Sequence, residues 1–128
     1  MTIALRDSIT VPAPGDDHCI LRNFTDVTAG VSITKAWLTI KRFASDPDPG
    51  LVQKAVTTGD VPGVGHIVAD GSTGTVTLRF DLSPTDTLLV ATRQKFFDIQ
   101  VLTTAGKIHT MNSGIIRAQK AQITETIT

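Results

Sequence analysis

Tyrosine is absent, and aromatic residues make up only 5 % of the 128-residue sequence. Sugar-binding and single-strand-binding platforms usually depend on exposed stacking rings, so this scarcity argues against both. A single cysteine, Cys19, leaves no intrachain disulfide to form, and the chain is not expected to be built around an oxidising compartment. Net charge is missing too. Lys+Arg and Asp+Glu stand at 12 each, so bulk charge points to neither nucleic acid nor an anionic membrane. No apolar run approaches the length of a membrane span. The opening MTIALRDSITVPAPGDD lacks the basic start and long apolar stretch of a signal peptide, and the sequon at Asn23-Phe24-Thr25 therefore reads as an accident of composition.

Catalytic and metal-binding patterns are equally sparse. His18, His66 and His109 show no HExxH spacing, and there is no CxxC and no G-x-S-x-G elbow. Asp16-Asp17-His18-Cys19 is the densest run of possible ligands. Neighbouring residues on a strand point to opposite faces, so the run converges poorly on one ion. GDVPGVG has glycines but no P-loop lysine and precedes no helix pattern, which leaves a surface loop. Asp46 and Asp48 resemble the first ligands of a calcium loop, but Pro47, Pro49 and the missing downstream glutamate argue against one. The reading is of a protein that is not an enzyme and carries no cofactor or metal.

What the sequence does contain is alternation. Hydrophobic residues reach 41 %, enough for one core in a single domain. In GTVTLRFDL, Val76, Leu78, Phe80 and Leu82 fall on one face, and Thr75, Thr77, Arg79 and Asp81 on the other. In KFFDIQV, Phe97, Ile99 and Val101 oppose Phe96, Asp98 and Gln100. ITKAWLTIKRF places Ala36, Leu38 and Ile40 together. HCILRNF, LVQKAVTT and HIVAD add shorter strand candidates. Ser83 suits a helix N-cap and Pro84 the first helical position, so one helical turn is expected directly after GTVTLRFDL. Ala105-Gly106 supplies a hairpin turn, and a bulge is expected at Asn112-Ser113-Gly114.

About seven short strands with Gly-, Pro- and Asp-rich connections predict an all-β, antiparallel sandwich. Its expected extent is 18–120. Residues 1–17 form an extended N-terminal arm and 121–128 a C-terminal extension, and neither has a partner within the expected sandwich. Trp37, Phe43 and Phe96 are out of phase with the apolar faces of their strands. They read either as core in a reversed phase or as a patch for a protein partner. Asp98 lies on the same outward face as Phe96, which makes it a fourth candidate interface residue.

The order of elements in 33–124 resembles the Ig-like β-sandwich domains of tailed-phage virion proteins, such as the N-terminal domain of baseplate upper proteins and tail-fibre adaptors. In that family an aromatic pair, then Asp and an aliphatic residue, opens the penultimate strand, and a hairpin returns with a glycine before the last strand. Phe96, Phe97, Asp98 and Ile99 match the first feature, with Phe for the more usual Tyr, and Gly106 and Gly114 match the second. SPTDTLLVATRQKFF is similar to the helical corner before strand F of immunoglobulin domains, without their Tyr and Cys.

The resemblance implies a structural protein of a tailed bacteriophage particle, in the tail, baseplate or tail-fibre attachment. Its partners would be copies of itself, as a homo-oligomer, and other virion proteins, with no nucleic acid and no membrane. It would be assembled in the bacterial host cytoplasm and located in the virion. Baseplate upper proteins often continue into a receptor-facing region, whereas this sequence closes just after the sandwich. That keeps a capsid decoration or neck protein as an alternative. The alternative from another class is a carbohydrate-binding module contacting host glycans, built on Trp37 with Phe96.

Overall fold

The computed structural model describes residues 5–25, 31–48, 50–90 and 93–118. Among these residues, eight strands run in the order β1 (Leu5–Val11), β2 (His18–Phe24), β3 (Ile33–Lys41), β4 (Val52–Val56), β5 (Gly65–Asp70), β6 (Val76–Leu82), β7 (Lys95–Thr103) and β8 (Ile108–Ala118). A short helical turn, α1 (Pro84–Leu88), sits between β6 and β7. One sheet has the order β1-β8-β7-β3-β4 and the other β2-β6-β5. The second, fifth and sixth strands face the third, fourth, seventh and eighth, which is the strand partition of an immunoglobulin-like sandwich.

Two-residue alternation is what brings the sheets together. Every second residue of β6 is buried (Val76, Leu78, Phe80 and Leu82), and so are Phe97, Ile99 and Val101 of β7 and Ala36, Leu38 and Ile40 of β3. All belong to one apolar cluster. Burying each Leu, Ile or Phe side chain is worth roughly 1.5–3 kcal/mol relative to exposure, so these rows dominate the stabilising side of the balance. The expected phases of all three strands match those observed.

α1 forms where its cap was expected. The Ser83 hydroxyl accepts from Asp86 N at 3.2 Å, and the Asp86 carboxylate accepts from Ser83 N at 2.9 Å, closing a capping box ahead of Pro84. Asp86 also meets Lys54 Nζ of β4 at 2.8 Å. Burial alone would raise the Asp86 carboxyl, but Lys54 and the Ser83 donors outweigh it and hold the group below the usual aspartate value. The buried Thr87 hydroxyl accepts from Gly15 N at 2.9 Å and lies 2.9 Å from the Asp16 carbonyl, which ties the β1–β2 connection to this corner.

Two features differ from the sequence reading. The N-terminal segment is extended, but residues 5–11 are not a separate arm. They pair in parallel with β8, from Leu5 beside Asn112 to Val11 beside Ala118, and Ile9 and Val11 enter the core. Parallel neighbours so far apart in sequence leave no local turn signal to read. The extension 121–128 lies outside the described residues. The bulge falls one position before the expected tripeptide. Ile99 pairs with Asn112 and Gln100 with Thr110, so Met111 is the extra residue and β8 continues through 112–114. Met111 and Asn112, adjacent in sequence, are consequently both buried.

Gly114 makes the β1 contact possible. A Cβ built there would lie 1.8 Å from the Asp7 carbonyl oxygen and 2.9 Å from Asp7 N, at a φ of +154°. Gly114→Val is expected to push β1 off β8. Overpacking of about 1–3 kcal/mol is enough to accelerate amide exchange of Ser8–Val11 by one to two orders of magnitude while β6 stays protected. Unchanged exchange in β1 would contradict this account. Ser83→Ala should lower stability by about 1 kcal/mol. Because the folded-state pKa of Asp86 is depressed, its contribution is present above the unfolded-state value and lost as pH falls through the folded one. Asp86→Asn should therefore show a shallower loss of stability on acidification than the parent chain in urea melts across that range.

Candidate interaction surface

The outward face of the five-stranded sheet is built from the residues between the core positions. Across one row, Gln53 of β4, Thr39 of β3, Asp98 of β7 and Ser113 of β8 lie side by side. The next rows place Lys41 beside Phe96 and Ile115, and Ala55 beside Trp37, Gln100 and Thr110. Gln53 donates to the Thr39 hydroxyl at 3.0 Å, and Thr39 is only 2 % exposed although it faces outward. The polar row is thus closed over by its own neighbours.

Asp98 is half-buried at the centre of this face. Burial raises its carboxyl above the usual aspartate value, the Lys41 ammonium opposes that rise, and Asp48 adds to it. Lys41 Nζ is meanwhile engaged by Asp48 at 3.0 Å, so one ammonium serves two carboxylates. Asp98 also lines a shallow cavity of about 330 Å³ with Lys41, Phe96, Ser113 and Ile115.

Of the four candidate interface residues, the structure brings together three. Phe96 borders both the cavity at Asp98 and a larger groove of about 1010 Å³ at the end of the sandwich, and Phe43 lines that groove as well. Trp37 stands apart. It pairs with Gln100, four residues from Phe96 along β7, or roughly 13 Å at the rise of a strand. Its ring is also faced by Lys35, whose Nζ lies 5.4 Å from the ring centroid.

Sequence reasoning did not single out the remaining groove residues Leu51, Leu88, Leu89, Arg42 and Arg93. The available signal was the Leu88-Leu89 pair closing a capped turn of only five residues, too short to bury it. Phe43, Leu88 and Leu89 are 58 %, 56 % and 37 % exposed.

Other charged groups among the described residues form ion pairs with one another. On the three-stranded sheet, Arg79 bridges Asp60 and Asp81, and its hydrogen bonds, helped by its charge, hold the Asp60 carboxyl down. Burial, then Asp81, raises the Cys19 thiol, which disfavours the thiolate and makes it a weak nucleophile. Burial lowers His18. Asp46 accepts from Phe43 N at 3.2 Å as part of its turn, and Asp48 is held by Lys41, so these two aspartates serve the loop. Among the described residues, no three His, Cys, Asp or Glu side chains are grouped to hold a metal ion. Comparison with family models, with curated proteins and with solved structures finds no match.

A paired measurement tests this assignment of faces. Phe97, buried on the inner side, should behave as a core deletion in Phe97→Ala, costing on the order of 3–5 kcal/mol. Asp98→Asn should change stability by about 1 kcal/mol or less at pH 7. The sign of its pH dependence is set by the raised pKa. Folding disfavours the ionised carboxyl, so the parent chain should gain stability relative to Asp98→Asn as pH falls through the folded-state pKa. Equal destabilisation by both substitutions at pH 7 would mean that Asp98 is an internal anchor.

Proposed function

We propose that this chain is a structural subunit of a tailed-phage particle, in the tail, baseplate or tail-fibre attachment, acting through protein–protein assembly and not through catalysis. The observation that carries the reading is the end groove. Phe43, Leu88 and Leu89 are large, exposed and gathered with Phe96 at one concave site. Scattered exposed apolar residues are ordinary on a monomer, whereas a gathered patch marks a surface that another chain covers. The sandwich itself and the Phe96-Phe97-Asp98-Ile99 strand opening are in keeping with the resemblance to virion Ig-like domains. Decoration of the capsid or a place in the neck would use the same surface.

The carbohydrate-binding alternative is less well supported. It needs an open aromatic platform, but Lys35 sits over the Trp37 ring, and Phe96 is a full strand segment away. Trp37→Ala is therefore expected to leave glycan-array signals unchanged.

The direct test is composition of particles. Virions purified from cells expressing the chain with its genomic neighbours should contain it in multiple copies by quantitative mass spectrometry, and Phe43→Ser should reduce that number. Particles that are complete, infectious and free of the chain would refute the proposal.

A further inference from the structure

The rim of the end groove carries cations. Arg42 and Arg93 are exposed beside the apolar floor of Phe43, Leu51, Leu88 and Phe96, and Lys95 lines the same groove. Among the described residues none of the three forms an ion pair. Lys95 is buried, and its ammonium donates to the Arg93 carbonyl at 3.0 Å. Burial, followed by repulsion from Arg42 and Arg93, lowers its pKa. Three like charges thus crowd one apolar site without a counterion among the described residues. An incoming carboxylate would meet the two exposed guanidiniums with the Lys95 charge behind them, and desolvation by apolar neighbours would strengthen the attraction.

We infer that the groove binds a short acidic–apolar polypeptide segment of a partner, with apolar side chains on the Phe43–Leu88–Phe96 floor and carboxylates toward Arg42, Arg93 and Lys95. The inference rests on the assembly reading above and gives its partner a chemistry. A long polyanion fits less well. Asp46, held at Phe43 N, and Asp48 stand on the turn beside the groove. They would repel a phosphate backbone continuing in that direction, and three cations supply few of the phosphate contacts that such binding depends on. The groove as a whole also holds three leucines, Leu51, Leu88 and Leu89, against two rings, Phe43 and Phe96.

The probe is a dye-labelled octapeptide alternating leucine and glutamate, followed by fluorescence anisotropy at low and at physiological salt. Controls are leucine–lysine and serine–glutamate octapeptides and single-stranded oligo-dT of eight nucleotides. The leucine–glutamate peptide should bind about tenfold or more tightly than any control, and weaken with salt. Arg93→Glu and Phe43→Ser should each weaken it by about tenfold or more, since each removes one of the two required elements. Both positions are exposed, and circular dichroism melts confirm folding of each variant. Arg42→Gln, also exposed, provides a third variant with a smaller expected loss.

Equal binding of the serine–glutamate peptide, tighter binding of oligo-dT, or affinity unmoved by all three variants would overturn the inference. The particle measurement separates the two proposals. A chain incorporated in virions but blind to every peptide overturns the groove chemistry and leaves assembly standing. A chain with the expected peptide preferences that is absent from particles supports the groove chemistry and overturns the phage reading.

Discussion

The apposition of the β6 row with the rows of β3 and β7 fixes everything else in this molecule. Phe80, Leu78 and Leu82 on one side and Leu38, Ile40 and Ile99 on the other are fully buried members of one cluster. A slip of one residue in any of these strands would turn its whole apolar set to solvent. Because the inner faces cannot move, the outer ones cannot either. Thr39, Asp98 and Phe96 take their outward positions as the necessary complement of buried neighbours, and the shallow cavity at Asp98 is a by-product of that register.

The end groove has a second dependency. One wall is the Leu88-Leu89 pair at the C-terminal end of α1, and α1 is too short to hold itself. It is held instead by its capping box, by Lys54 of β4 and by the Thr87 hydroxyl on the β1–β2 connection. Three parts of the chain far apart in sequence therefore set the position of a surface leucine. A polar network of this kind limits the apolar patch to one shape, which gives a pre-ordered surface without the entropy loss of organising it on contact.

How far the sequence carried this picture follows from the range over which each signal acts. The phases of β6 and β7 and the Ser83 cap are properties of seven to nine consecutive residues, and they were legible. Phe43 and Phe96 were legible as rings out of phase, though not as neighbours. The pairing of β1 with β8 joins positions about a hundred residues apart in parallel and depends on the missing side chain of Gly114, which looked like a bulge signal in a linear reading. The groove draws on 42–43, 51, 88–89 and 93–96, and no local window contains its cationic rim together with its floor. Convergence of distant segments is what the fold adds to the sequence.

The parallel register of β1 on β8 has a mechanical meaning. The chain enters β1 beside Asn112 and leaves β8 beside Val11, at opposite ends of the pair. Tension along the polypeptide would pull the two strands past each other lengthwise. The backbone hydrogen bonds between them would then be loaded together, in shear, instead of opening one after another like a zip. A sandwich laced in this way resists stretching along its strands while remaining easy to peel from its flank, and the close approach at Gly114 keeps the lacing tight.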